Sequence, residues 1–230
     1  VVPVTRSDDA GPVARRAVLF FRLTFAVAVL AWIVAIAALP YLPETIPIHW
    51  NINGEADGFA DRPWGTFGLP AIITASLVLL FLLPRFDQLR GSFEDSRDIY
   101  AIIIFATVCL LFGIEVTSLL DAAGMNLPMG MVFPIILGFF FIVLGGLMPY
   151  LRRNTTVGIR LPWTIRSERV WDETHRHGGP VFAGRDPDGA PEPACRGPGD
   201  TPCLCRHSWY RHLHHALVVP VRRFHPAKGG

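Results

Sequence analysis

Ser167, Asp172 and His175 fall close together in the stretch "SERVWDETHR" and are the residue types of a nucleophile, an orienting acid and a base. Nothing around them reads as a nucleophile elbow or an oxyanion hole, so no catalytic residues are assigned and no enzyme is expected. A second group, His49, Glu55, Asp57 and Asp61, carries donors able to bind a divalent cation. Their spacing matches no ligand motif, and a structured connector with solvated acids is the simpler reading. Cys195, Cys203, Cys205 and His207 are zinc-ligand types, yet a Cys-x-Cys without a second spaced pair is a weak pattern. Neither a metal nor a cofactor is expected. Glu115 stands alone, about a turn and a half inside the outer end of an apolar run. A charge there is costly, so Glu115 either faces a polar cleft between helices and binds a ligand or simply reaches the interface.

The elements that must hold these groups are apolar. Of 230 residues 51% are hydrophobic and only 17% charged, with a mean hydropathy of +0.37. A soluble domain carries about a quarter charged residues, so the composition points to a membrane protein. The net charge of +2 gives no reason to expect a nucleic-acid partner. Four stretches, 17–39, 66–83, 99–120 and 129–150, each approach the roughly 20 residues that cross a bilayer core as a helix. The expected fold is therefore all-α: a polytopic transmembrane bundle over 17–150, with an N-terminal arm at 1–16 and a loop at 40–65. The four cysteines are not expected to form disulfides.

Arginines set the orientation. Arg6, Arg15 and Arg16 precede the first span, Arg85, Arg90 and Arg97 lie between the second and third, and six more follow the fourth through Arg176. The two remaining loops hold only Arg62. By the positive-inside rule the N-terminus and the segment 151–179 are cytoplasmic, and the loop 40–65 is outside. The first span ends in a small-x-small site, Ala35-Ile36-Ala37, but at 23 residues it is too long for a signal-peptide core. In the outer loop, turn residues (Pro43, Pro47, Asn53-Gly54, Asp57-Gly58, Pro63) surround an alternation of Ile46, Ile48 and Trp50 that suits an extended piece. Trp50, Phe59 and Trp64 are candidate interfacial anchors. After the fourth span Ser167 is placed to cap a helix, with Val170 and Thr174 on one face and Trp171 beside them. Two readings stay open here. The helix lies on the inner leaflet with Trp163 and Trp171 at headgroup depth, or Arg160, Trp163, Trp171, His175 and Arg176 form a docking surface for a partner.

Two stretches carry a resemblance. "LPETIPIHWNINGEADGF" and "VGIRLPWTIRSERVWDETHRHGG" are similar, nearly residue for residue, to the outer loop and the cytoplasmic signature of the SdpI family of bacterial membrane proteins. One departure is Gly145-Gly146-Leu147-Met148-Pro149-Tyr150, which lacks the Asn and the Lys common at the end of the family's fourth span. The resemblance implies a multi-pass inner-membrane protein with an immunity or signalling role. An external peptide toxin would engage His49, Asn51, Asp57 and Glu115, and the inner face around Trp163 and Trp171 would capture a transcriptional repressor. A small transporter or transporter accessory is the second reading, and a membrane hydrolase the third.

Relatives of this type continue with two further spans, whereas here the composition changes after Gly179 to a stretch crowded with Pro, Arg, His and Cys. Back-translating "RDPDGAPEP" and "WYRHLHH" and reading one nucleotide later permits residues that can form bilayer helices. The expectation is that 180–230 is a non-native, non-globular tail produced by a frame change near 180–185, disordered in the cytoplasm.

Overall fold

The computed structural model describes residues 12–89, 95–182 and 184. Arg6, Arg90, Cys195, Cys203, Cys205, His207 and the expected tail, except 180–182 and 184, lie outside the described residues. The chain forms two compact units divided after Phe140.

The first unit is built on apolar helices. Helix α1 spans Pro12–Ala38, α2 Arg62–Leu82, α3 Arg97–Leu120, and α4, Met129–Leu147, leads from the first unit into the second. With their short flanking turns, all four are long and apolar enough to cross a membrane. Helix α1 packs mainly on α3, and α2 touches both. What is buried is small: Ala17, Thr24, Ala28, Ala31 and Ala35 line one side of α1. Small side chains let helix backbones approach closely where lipid gives no hydrophobic reason to associate. Large apolar side chains point the other way, with Phe25, Ile33, Ile72, Phe81, Ile135 and Phe139 all exposed. Such a surface suits lipid as its solvent. Ala28, Ala31, Ile73 and Val108 form the central apolar cluster of α1, α2 and α3.

Between α1 and α2 the chain makes a hairpin, so the all-α expectation misses a small sheet. Strand β1, Thr45–Trp50, pairs antiparallel with β2, Ala56–Asp61, with irregular register on either side of His49. Ile46 anchors the hairpin by packing with Leu42 and Leu119. At Gly65 an added Cβ would fall 2.8 Å from that of Ile46, so the start of α2 meets the strand through a bare glycine. The hairpin turn seats against α4 in the same way. Gly54 has φ +81°, and any side chain on it would run into the Gly130 backbone. Trp50 packs edge-on against Phe133, with ring centroids 5.2 Å apart.

The second unit contains the end of α4, a tight turn at Met148–Tyr150, a hydrogen-bonded loop, the short helix α5 at Pro162–Arg166 and α6 at Glu168–Phe182. Helix α6 continues through Pro180, beyond the expected boundary at 179. Its buried residues are Val170, Trp171, Thr174, His175, Gly178 and Gly179, which recur at helical spacing on one face.

Candidate functional site

The hairpin orders its own tip. Asn51 Oδ1 accepts hydrogen bonds from the backbone N–H groups of Asn53 (2.9 Å) and Glu55 (3.1 Å), and Asn51 Nδ2 donates to Glu55 Oε2 at 3.0 Å. Asn51 is therefore a scaffold for the turn as well as an exposed amide. His49 and Asp57, eight residues apart in the chain, are brought together across the bulge, with Nδ1 and Oδ1 at 2.5 Å. Both remain open to solvent. Glu115 does not join them. It is fully buried within α3, and neither carboxylate oxygen has a hydrogen-bond partner among the described residues. Among the described residues no three His, Cys, Asp or Glu side chains converge.

The signature after α4 is a folded module that buries four polar side chains, Asn154, Thr164, Thr174 and His175. Fully buried Asn154 shapes the loop, accepting from the N–H groups of Thr156 (2.8 Å) and Val157 (2.7 Å) and donating to Arg152 O at 2.8 Å. Buried Thr164 accepts from Leu161 N–H at 2.8 Å and donates to Ile159 O at 2.7 Å, fixing the entry into α5. Ser167 caps α6 with a long contact, 3.4 Å from the Val170 N–H. Trp171 is 0% exposed, and its indole N–H donates to Leu151 O at 2.8 Å, tying α6 to the end of the span. His175, stacked on Trp171 at 4.0 Å between centroids, spends both ring nitrogens on backbone groups. Nδ1 donates to Trp171 O at 2.9 Å, and Nε2 accepts from Ile159 N–H at 3.0 Å. Since a carbonyl only accepts and an amide N–H only donates, the ring is neutral with its proton on Nδ1. Burial pushes its pKa below the ordinary histidine value, against smaller opposing contributions from the Trp171 carbonyl and Asp172.

Three glycines are required by this packing. Gly158 has φ +120°, and a Cβ there would strike His175 Nε2 and crowd the Trp171 ring. On α6, a Cβ on Gly178 would fall 2.9 Å from Ile159 Cδ1, and one on Gly179 would fall 2.6 Å from Gly145 O.

These positions revise the readings made from the sequence. Trp171 is a core residue of the second unit and cannot be a headgroup anchor, because its indole is enclosed by protein and its N–H is used. His175, 1% exposed, is likewise not available to a partner. Their occupation by backbone groups also leaves Ser167, Asp172 and His175 unassembled as a triad. Arg160, Trp163 and Arg176 remain at the surface, Arg160 with one N–H on Thr155 O at 2.7 Å. Asn154, Gly158 and Thr164 escaped the sequence reading although all three lie in the signature. Gly158 had a usable signal, a lone glycine between two apolar residues in a loop, which often marks a positive φ.

A bundle with a small buried seam and a lipid-compatible exterior, a self-ordered hairpin between its first two spans and a folded module after its fourth define a multi-pass helical membrane protein. Two family models match within it: "Domain of unknown function (DUF1648)" over residues 26–74, covering the second half of α1, the hairpin and the start of α2 through residue 74, and the "SdpI/YfhL protein family" over residues 150–185, covering the module. Over this module the chain is similar to the SdpI/YfhL family. It is 26% identical over 153 residues to "Immunity protein SdpI" of Bacillus subtilis (strain 168), an alignment covering 66% of this chain and 71% of that protein. No solved structure matches the chain.

Proposed function

We propose that this protein confers immunity to a secreted peptide toxin, with the hairpin as the element that meets the peptide. The match to an immunity protein over about two thirds of each chain carries this reading. The hairpin supports it physically. His49 and Asp57 form an exposed polar pair on a strand pair fixed underneath by Ile46, Gly54 and Gly65, which is the pre-ordered surface that recognition favours. Asn51 positions the tip beside that pair, and Glu115 lies in the helix beneath it. In this reading the hairpin lies outside the cell membrane and the module at 151–182 in the cytoplasm, which the arginine distribution supports. There Arg160, Trp163 and Arg176 offer a basic and aromatic surface for a repressor, held in place by Trp171 and His175 acting from within.

The test is toxin challenge of cells with and without the gene. Deletion sensitises cells to a secreted peptide toxin, and the wild-type gene restores survival. The double variant His49→Ala, Asp57→Ala reaches the membrane in normal amount but restores survival at least about tenfold less well, the equivalent of about 1.4 kcal/mol of recognition. Unchanged survival on deletion across a panel of such toxins, with altered solute uptake instead, would replace immunity by the transporter reading.

A further inference from the structure

Within the first unit, Thr66 and Glu115 are placed at one level. Ile73 of α2 and Val108 of α3 belong to the same central apolar cluster with Ala28 and Ala31 of α1, which sets these turns of the helices at a common level. Thr66 precedes Ile73 by seven residues and Glu115 follows Val108 by seven. The helices run in opposite directions, so both residues lie about 10.5 Å from that cluster toward the hairpin. Seven residues return a helix to within about 20° of the same face, so both remain directed at the seam. Gly65 and Leu119, their neighbours toward the hairpin, both pack on Ile46. On α1 the same interval from Ala28 reaches Ala35, fully buried and small.

The chemistry of that layer is unusual for a lipid-embedded bundle. Thr24, Thr74, Thr107, Thr117 and Ser118 each hand their hydroxyl proton to a carbonyl one turn back, the ordinary way to satisfy a hydroxyl inside an apolar helix. Thr66 does not: its Oγ1 is buried without a partner, as are both oxygens of Glu115. Pro70, also buried and one turn further on, has no N–H to give the Thr66 carbonyl. A carboxylate, a hydroxyl oxygen and a carbonyl relieved of its usual helical donor thus share one closed level, with alanine opposite them.

We propose that Glu115 and Thr66 form a buried site for a monovalent cation in the seam of α1, α2 and α3. Every donor there is oxygen, which selects a hard cation or an ammonium group over a soft metal. One carboxylate balances a single positive charge, whereas divalent ions draw more acidic or hydrated cages. An anion is excluded by Glu115 itself. Irregular backbone that frees carbonyls at membrane depth, as Pro70 does, is a recurring way to coordinate such ions. This inference goes beyond the immunity reading and does not depend on it, since the ion would bind with no toxin present.

Purified protein in detergent, melted in choline chloride with sodium chloride, potassium chloride or ethylammonium chloride replacing it at constant ionic strength, tests the site. A saturable rise in Tm with at least one of the small cations and none with choline is expected. Sodium or potassium alone identifies a free metal ion, and ethylammonium alone identifies an amine-bearing ligand. Thr66→Val is expected to weaken the midpoint by about tenfold, the loss of one ligand, and Glu115→Gln, which keeps the shape, to abolish the rise. Equal melting in every salt, or the same rise in Glu115→Gln as in the wild type, would overturn the proposal. A Glu115→Gln protein with wild-type helicity by circular dichroism separates loss of the site from loss of the fold.

Discussion

Replacing Gly158 by alanine is expected to open the module that follows the last span while leaving the helices of the first unit folded. The backbone at this position has φ +120°, a region L-residues avoid at a cost of about 1–3 kcal/mol. The new methyl would also be driven into His175 Nε2, with the Trp171 ring at 3.0 Å beside it. Neither ring can retreat without loss, because one is held by Leu151 O and the other by Trp171 O and the Ile159 N–H. Overpacking of this kind costs about 1–3 kcal/mol more. Amide hydrogen exchange over 151–160 should accelerate by at least about 30-fold, the lower end of that sum. Unchanged exchange there would mean the loop does not close on the rings as described.

A second large effect follows acidification. Folded His175 binds a proton less readily than an unfolded histidine, whose ordinary value is near 6.5, because burial disfavours the cation. Protonation would also place an N–H against the Ile159 N–H that Nε2 now accepts. Above about pH 6.5 both folded and unfolded rings are neutral, and the contribution to stability is complete. As the pH falls below that value the unfolded chain takes up a proton that the folded module refuses, so stability drops until the folded value is passed. The loss is about 1.4 kcal/mol for each tenfold difference in proton affinity between the two states. Nitrogen NMR of the ring should show His175 still carrying its proton on Nδ1 when an unfolded histidine is half protonated. Hydrogen exchange over 154–160, corrected for intrinsic rates, should report progressive opening. A ring already charged at that pH would contradict the assigned hydrogen bonds.

The membrane plan was legible because it depends on quantities a sequence displays directly. The apolar runs at 17–39, 66–83, 99–120 and 129–150 overlap α1 to α4, differing by five residues or fewer at each end, and Ile46, Ile48 and Trp50 announced the strand that became β1. Pairing was less visible, since β2, Ala-Asp-Gly-Phe-Ala-Asp, has almost no strand propensity and forms on a partner already fixed by Ile46. The surface chemistry was harder still. Trp171 and His175 have the composition of a binding hot spot and the environment of a core, and only the loop at 151–160, folded over them, decides between the two. Glu115 was conspicuous as a charge in an apolar run. Thr66 was not, because threonine in such a helix ordinarily satisfies itself, and its exception depends on the register of α2 against α3.

Lipid as the solvent for these helices, with the hairpin and the signature module on opposite sides of it, is the claim on which the functional account rests. Single cysteines introduced as Ile52→Cys, at a hairpin tip that is 98% exposed, and as Arg176→Cys on α6, in a background without native cysteines, test it. Intact cells are treated with a membrane-impermeant maleimide. The account predicts labelling at position 52 in intact cells and at position 176 only after permeabilisation. Labelling of position 176 in intact cells, or protection of position 52, would contradict it.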